Sequence, residues 1–186
     1  TSLVLEWLGT EDGKPYPNLA SWQNSNAYSI EGALDILEQL ASILDNVHQA
    51  GVIHRDIKPA NIIIDPNNIP TLIDFGAPTA AQDEESSFGT PDYMSPEAAK
   101  ADSSTPLTSA SDLYSFGIIA YKLFTNDLPF KGKTSAAILN NQVFLAYAPI
   151  NEQHSSYARL QHANINIDQF NQVFSKALSK DPKKRY

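Results

Sequence analysis

Cysteine is missing altogether from this 186-residue chain. Its absence excludes disulfides, thiolate zinc sites and a cysteine nucleophile, and it suits a cytoplasmic setting. Basic charge is also in short supply, since 13 Lys and Arg face 21 Asp and Glu for a net charge of −8. A nucleic-acid partner, which needs a basic face, therefore has no electrostatic support. No apolar run approaches the ~20 residues of a membrane helix, and no signal-peptide pattern opens the chain. What is present is ordinary for a folded domain: 42% hydrophobic and 18% charged residues. That composition argues against disorder, and the length allows one domain, or one large lobe, with a real core. Charge is uneven, with four basic residues between Lys180 and Arg185 and an acidic run at Asp83-Glu84-Glu85 that reads as a solvated loop.

Hydrophobic periodicity sets the layout. Leu3 to Leu8 reads as a short buried strand ending at Gly9, followed by a polar stretch from Thr10 to Asn26. A long helix is predicted next, capped by Ser29 with Glu31 in its first turn and stopped by Gly51. Leu34, Leu37, Ala41, Leu44 and Val47 form its apolar stripe, widened by Ala33, Ile36, Leu40 and Ile43. Such breadth predicts a helix central to the fold. Ile62-Ile63-Ile64 and Thr71-Leu72-Ile73, joined by Asp65-Pro66-Asn67-Asn68, read as a small hairpin ending at Asp74. Residues 77–96 carry no period, and an unstructured loop of that length is usually functional. Further helices are predicted over Asp112–Phe124, Ser135–Ala146 and Asp168–Leu178. The fold class expected is mainly α with a small β-hairpin. His48, His154 and His162 lack metal-ligand spacing and read as surface or helix-face residues.

The chemistry concentrates in His54-Arg55-Asp56-Ile57-Lys58-Pro59-Ala60-Asn61 and Asp74-Phe75-Gly76. Magnesium takes hard oxygen ligands, which the Asp74 carboxylate and the Asn61 amide carbonyl can supply. The hairpin brings these two donors together, since Asn61 begins one strand and Asp74 ends the other. Asp56 is placed to accept the proton of an incoming hydroxyl, Lys58 can reach a transferred phosphoryl group, and Pro59 stiffens the turn. Phosphoryl transfer asks mainly for such positioning and charge neutralisation.

These two motifs resemble the catalytic and metal-binding loops of protein kinases. The resemblance implies ATP and Mg²⁺ as cofactors, Asp56 as base, Lys58 on the transferred group, and Asn61 and Asp74 as metal ligands. It implies a kinase C-lobe, whose complete parent domain would be α+β and two-lobed. Leu5-Glu6-Trp7-Leu8-Gly9 is similar to the hinge, with Glu6 and Leu8 bonding the adenine edge, Leu5 at the back of the pocket and Ile63 as its floor. Gly89 to Glu97 resembles the segment that docks a polypeptide substrate, in which Thr90 bonds toward Asp56 and Lys58. Glu97 would pair with Arg185, 88 positions later, and Asp112 would accept backbone N–H bonds from the catalytic loop. Asp112 also reads as an ordinary helix N-cap near Ser111. His54, Phe75 and Gly76 take structural places, the two rings joining the catalytic loop to the metal loop.

Lys58 and Gly89-Thr90-Pro91 resemble the Ser/Thr-directed branch, so the implied partners are ATP and a protein with Ser or Thr, while the compact activation loop and small surface helices resemble the eukaryotic-like kinases of bacteria. Ala60 stands where kinases preferring basic substrates often carry glutamate. Arg55 is expected to be buried and matched by an anion, either phosphorylated Ser86 or Ser87, or unmodified Glu84 or Glu85. The expected division is a hinge at 1–9, a C-lobe at 10–186 incomplete at its C-terminal end, and an activation and docking segment at 77–97. Because the Gly-rich loop and strand lysine do not precede the hinge, an N-lobe from the parent protein is an expected partner and the fragment alone is expected to be inactive. Two other readings are a kinase-like scaffold without catalysis and a small-molecule phosphotransferase of related fold.

Overall fold

The computed structural model describes residues 8–25, 27–75, 91–100 and 106–186. Within them the chain is mainly helical with one two-stranded antiparallel hairpin, the class predicted from the sequence.

The first helix, α1 (Leu19–Gln23), lies inside the stretch that reads as polar. Asn18 caps it by accepting from the Ser21 N–H, and Leu19 and Trp22 turn into the core. Two buried residues in five are too few to register as a period. The long helix α2 (Ile30–Gln49) begins at Ser29, whose hydroxyl accepts from the Gly32 N–H at 2.9 Å. It ends as predicted at Gly51, where φ is +74°. The Gly51 N–H bonds the His48 carbonyl and the Val52 N–H bonds that of Val47, so two orphan carbonyls of the last turn are satisfied.

The buried line of α2 is Ala33, Ile36, Leu37, Leu40 and Leu44. Leu37 and Leu44 of the predicted stripe are buried, but Leu34 is 44% exposed and Ala41 is exposed, so the buried face is centred toward the Ala33, Ile36 and Leu40 side of the predicted face. The helical period alone does not fix the centre of so broad an apolar face. Packing against the hairpin and the next long helix does.

That next helix, α4 (Ser109–Thr125), follows the single turn α3 (Pro96–Ala99) and is buried over most of its length. Tyr114, Ile118, Ile119 and Leu123 are at most 1% exposed. Burying each such side chain is worth ~1.5–3 kcal/mol. It starts three residues before the predicted Asp112, because Thr108 and Ser111 close its first turn through a Thr108 N–H to Ser111 Oγ bond of 3.1 Å. It stops at Asn126, in the left-handed region at φ +58°. Helices α5 (Ser135–Phe144), α6 (Tyr157–His162) and α7 (Ile167–Ala177) complete the chain. Tyr121, Phe124, Phe170 and Phe174 pack edge to face between α4 and α7. None of the helices described is long and apolar enough to cross a membrane.

The hairpin pairs β1 (Ile62–Ile64) with β2 (Pro70–Leu72) in the register Ile62–Leu72, Ile63–Thr71, Ile64–Pro70. Ile64 and Pro70 form a non-hydrogen-bonded pair, so the missing N–H of Pro70 costs the ladder nothing, and the Ile64 N–H points away from β2 to the Pro17 carbonyl at 2.8 Å. Asp65 closes the turn, its Oδ1 accepting from the Asn67 and Ile69 N–H groups. The Ile73 N–H then reaches the Asn61 carbonyl at 3.0 Å, so the hairpin ends between the two sequence motifs.

Candidate active site

Asp112 organises the loop that carries Asp56. Its carboxylate accepts the backbone N–H groups of His54 and Arg55, each at 2.8 Å, and is 1% exposed. It therefore bonds the distant loop rather than capping its own helix. His48 Nε2 sits 2.9 Å from the same carboxylate and is largely buried, which corrects the surface reading of this histidine. No spacing in the sequence sets His48 apart, since its partner lies 64 positions away. His154 is likewise half-buried against the Tyr121 hydroxyl at 3.2 Å, whereas His162 is exposed.

His54 is fully buried and spans the two motifs. Its Nδ1 accepts from the Asp56 N–H at 3.3 Å, so the hydrogen-bond pattern puts the proton on Nε2, which donates to the Ile73 carbonyl at 2.8 Å. Its ring lies 4.6 Å from that of Phe75, although Phe75 is itself 46% exposed. Arg55 and Asp74 both adopt positive φ, +73° and +61°. Such backbone costs of order 1–3 kcal/mol per residue and persists where the surroundings fix it, as they do here through Asp112 and the hairpin.

Asp56 is the centre of the polar cluster. Its Oδ2 accepts from Lys58 Nζ at 2.6 Å and from Asn61 Nδ2 at 3.0 Å, and its carbonyl accepts from the same Asn61 amide at 2.9 Å. The side chains of Asp56 and Lys58 remain about a quarter exposed, so the pair is reachable from outside. Asn61 uses its Nδ2 on Asp56, and its Oδ1, which has no hydrogen-bond donor among the described residues, is a hard oxygen donor. Asp74 is exposed and stands one residue beyond the Ile73–Asn61 bond. No cluster of three or more His, Cys, Asp or Glu occurs among the described residues. One carboxylate and one amide oxygen fit magnesium, which keeps several waters and takes its remaining ligands from phosphates.

A second polar centre joins α3 to the end of the chain. Arg185 Nη1 and Nη2 reach Glu97 Oε1 and Oε2 at 2.7 and 2.9 Å, a bidentate pair with both side chains almost fully buried. The Ser111 hydroxyl donates to Glu97 Oε1 at 2.7 Å, and the guanidinium lies 4.8 Å above the Tyr114 ring. Burial pushes the Glu97 carboxyl up, but the Arg185 and Ser111 hydrogen bonds outweigh it and hold the group below its ordinary value.

Other residues named from the sequence fare differently. Leu5, Glu6, Gly76, Ser86, Ser87 and Thr90 lie outside the described residues. The Leu8 carbonyl accepts from the Tyr16 N–H at 3.0 Å, and Ile63 is half-buried on β1. Arg55 is exposed, not buried, and makes no ion pair among the described residues. Its backbone is held by Asp112, but no described anion draws the side chain in.

The protein kinase domain family model matches residues 1–186. The chain is 36% identical over 160 residues to the serine/threonine-protein kinase PknB of Mycobacterium leprae, covering 83% of this chain and 24% of that protein. It is 35% identical over 190 residues to the serine/threonine-protein kinase drp72 of Corynebacterium efficiens, covering 99% and 32%. It is 30% identical over 190 residues to a probable serine/threonine-protein kinase PknB of Lactococcus lactis, covering 99% and 27%. The chain thus spans about a quarter to a third of the length of these curated relatives.

Proposed function

This chain belongs to the protein kinase domain family, and from that premise we propose that it carries the reacting groups of an ATP- and Mg²⁺-dependent protein serine/threonine kinase. The observation that carries the reading is the contact of one carboxylate, that of Asp56, with both Lys58 and Asn61 on a loop fixed from behind by Asp112. Asp56 takes the proton of the acceptor hydroxyl as that oxygen bonds the γ-phosphorus of ATP and the bond from that phosphorus to the bridging oxygen breaks, releasing ADP. Lys58, already at Asp56 and a quarter exposed, moves onto the transferred phosphoryl group and balances its charge. Asn61 Oδ1 and the Asp74 carboxylate would hold magnesium, which supplies charge neutralisation on the nucleotide phosphates.

Leu8 and Ile63 line the adenine side together with Leu5 and Glu6. Residues 1–9 act as hinge, 10–186 as the lobe, and 77–97 as the loop that docks substrate, with Thr90 bonding toward Asp56 and Lys58. The exposed Arg55 guanidinium is the group that an anion would bring in, phosphorylated Ser86 or Ser87 being the first choice and Glu84 or Glu85 the other. A Gly-rich lobe from the parent protein is the partner this mechanism requires over the phosphates.

The test is Asp56→Asn in the full-length gene product. The amide oxygen of asparagine still accepts from Lys58 and Asn61, so folding should change little. Loss of the base should cut phosphate transfer to a protein acceptor by roughly 10²–10⁴-fold. A variant with normal turnover would overturn the assignment.

A further inference from the structure

Helix α5 contains one polar side chain with no place in the chemistry above. Gln142 is 0% exposed, although most of α5 is exposed or half-buried. Its Nε2 donates to the Asp92 carbonyl at 2.7 Å and to the Pro91 carbonyl at 3.3 Å. Its Oε1 accepts from the Tyr114 hydroxyl at 2.7 Å, and the Tyr114 oxygen in turn accepts from Lys180 Nζ at 2.9 Å. The ammonium lies 3.5 Å from the centre of the Phe130 ring. Every partner in this line sits on a different element: the turn at Pro91–Tyr93, α5, α4, and the segment after α7.

We infer that Gln142 is a positioning residue for protein-substrate docking, holding the turn at Pro91–Tyr93 through its amide while Tyr114 and Lys180 fix which way that amide faces. The inference rests on the proposed reading of Gly89 to Glu97, which includes this turn, as the docking segment. Burial of an amide is unfavourable unless all its hydrogen bonds are made. A leucine would fill the same space more cheaply, but it would leave the Asp92 carbonyl with no donor from α5. An amide also has two faces, and a flipped Gln142 would set its oxygen against two carbonyl oxygens. The Tyr114 hydroxyl prevents this because it donates to Oε1, and it is free to do so because Lys180 supplies the hydrogen bond to its oxygen. Burial, followed by repulsion from Arg185, brings the Lys180 ammonium down to about 7. Replacing that poorly solvated charge should therefore leave the fold intact.

The experiment uses the full-length gene product, with dephosphorylated casein as a generic Ser/Thr acceptor. Gln142→Leu keeps the volume and deletes the donors; Lys180→Met keeps the stem and deletes the ammonium. The expected result is about a tenfold rise in the KM for casein with Gln142→Leu, the equivalent of one lost neutral hydrogen bond. Lys180→Met should give a smaller rise of about threefold. The KM for ATP should stay within twofold in both. A merely structural role would lower the active fraction, read by active-site titration, without separating the two KM values. Unchanged KM for casein, or equal rises for casein and ATP, overturns the inference. Should Gln142→Leu not fold, Lys180→Met decides by the same criterion. Wild-type enzyme that phosphorylates no protein acceptor would instead overturn the kinase reading on which the inference stands.

Discussion

Arg185→Met would remove the cation from the buried pair with Glu97 and leave a carboxylate that is 4% exposed. Five hydrogen bonds go with it: two to Glu97, and one each to the carbonyls of Ser179, Ala110 and Lys180. Breaking such a pair from one side costs ~3–5 kcal/mol. For a protein of this size that is a fall in Tm of roughly 6–20 °C, at about 2–4 °C per kcal/mol. The pH dependence supplies a second handle. In the wild type Glu97 is held below its ordinary value, so its contribution to stability is present above about 4.5 and lost as pH falls through the depressed value. Without Arg185, burial dominates and the carboxyl rises above its ordinary value. The sign then reverses, and the variant's deficit should be largest at neutral pH and shrink as acid protonates Glu97.

Calorimetry at pH 7 and pH 4 measures both effects. The double variant Glu97→Leu/Arg185→Met separates the pair from its surroundings. It should recover part of the loss, because no lone buried charge remains, but not all, because three backbone carbonyls lose their donor. A coupling of about 2–3 kcal/mol is expected. Strict additivity of the two single changes, or a deficit that does not vary with pH, would refute the argument.

Two other perturbations test the architecture around the site. Asp112→Asn keeps the shape but has one acceptor oxygen where the carboxylate uses two, so one of the charge-assisted bonds to the His54 and Arg55 N–H groups, each worth ~1.5–3 kcal/mol, weakens and the other gives way to a donor–donor contact. Hydrogen exchange at those two amides should accelerate while the core of α4 stays protected, and unchanged protection would show that the loop is held by other means. Gly132→Ala would place a Cβ 2.6 Å from the Ile138 backbone nitrogen and 2.9 Å from Ala137. Backbone cannot yield as a side-chain tip does, so urea denaturation should show a loss of about 1–3 kcal/mol; a neutral substitution would mean that the start of α5 is free to shift.

The contacts among Asp56, Lys58 and Asn61 were legible because the three residues sit in one short run of six positions. Glu97 and Arg185 could be paired from the sequence only through the family resemblance, since nothing local connects positions 88 apart. Leu34 and Ala41 were misplaced on the buried face of α2 for a different reason. Period fixes the width of an apolar face, while the partners that cover it fix its centre. Helix α1 escaped notice because five residues are too short for a period, although the Asn18 cap was there to be read.

The amino-acid order alone determined the helical class, the hairpin and the Asp56–Lys58–Asn61 polar cluster, all of which depend on near neighbours along the chain. The polar interior was decided only when the elements packed. His48 against Asp112, and Gln142 between Tyr114 and the 91–92 turn, are buried by partners dozens of positions away. A buried polar side chain differs from an exposed one in its surroundings, not its identity, and surroundings exist only in three dimensions.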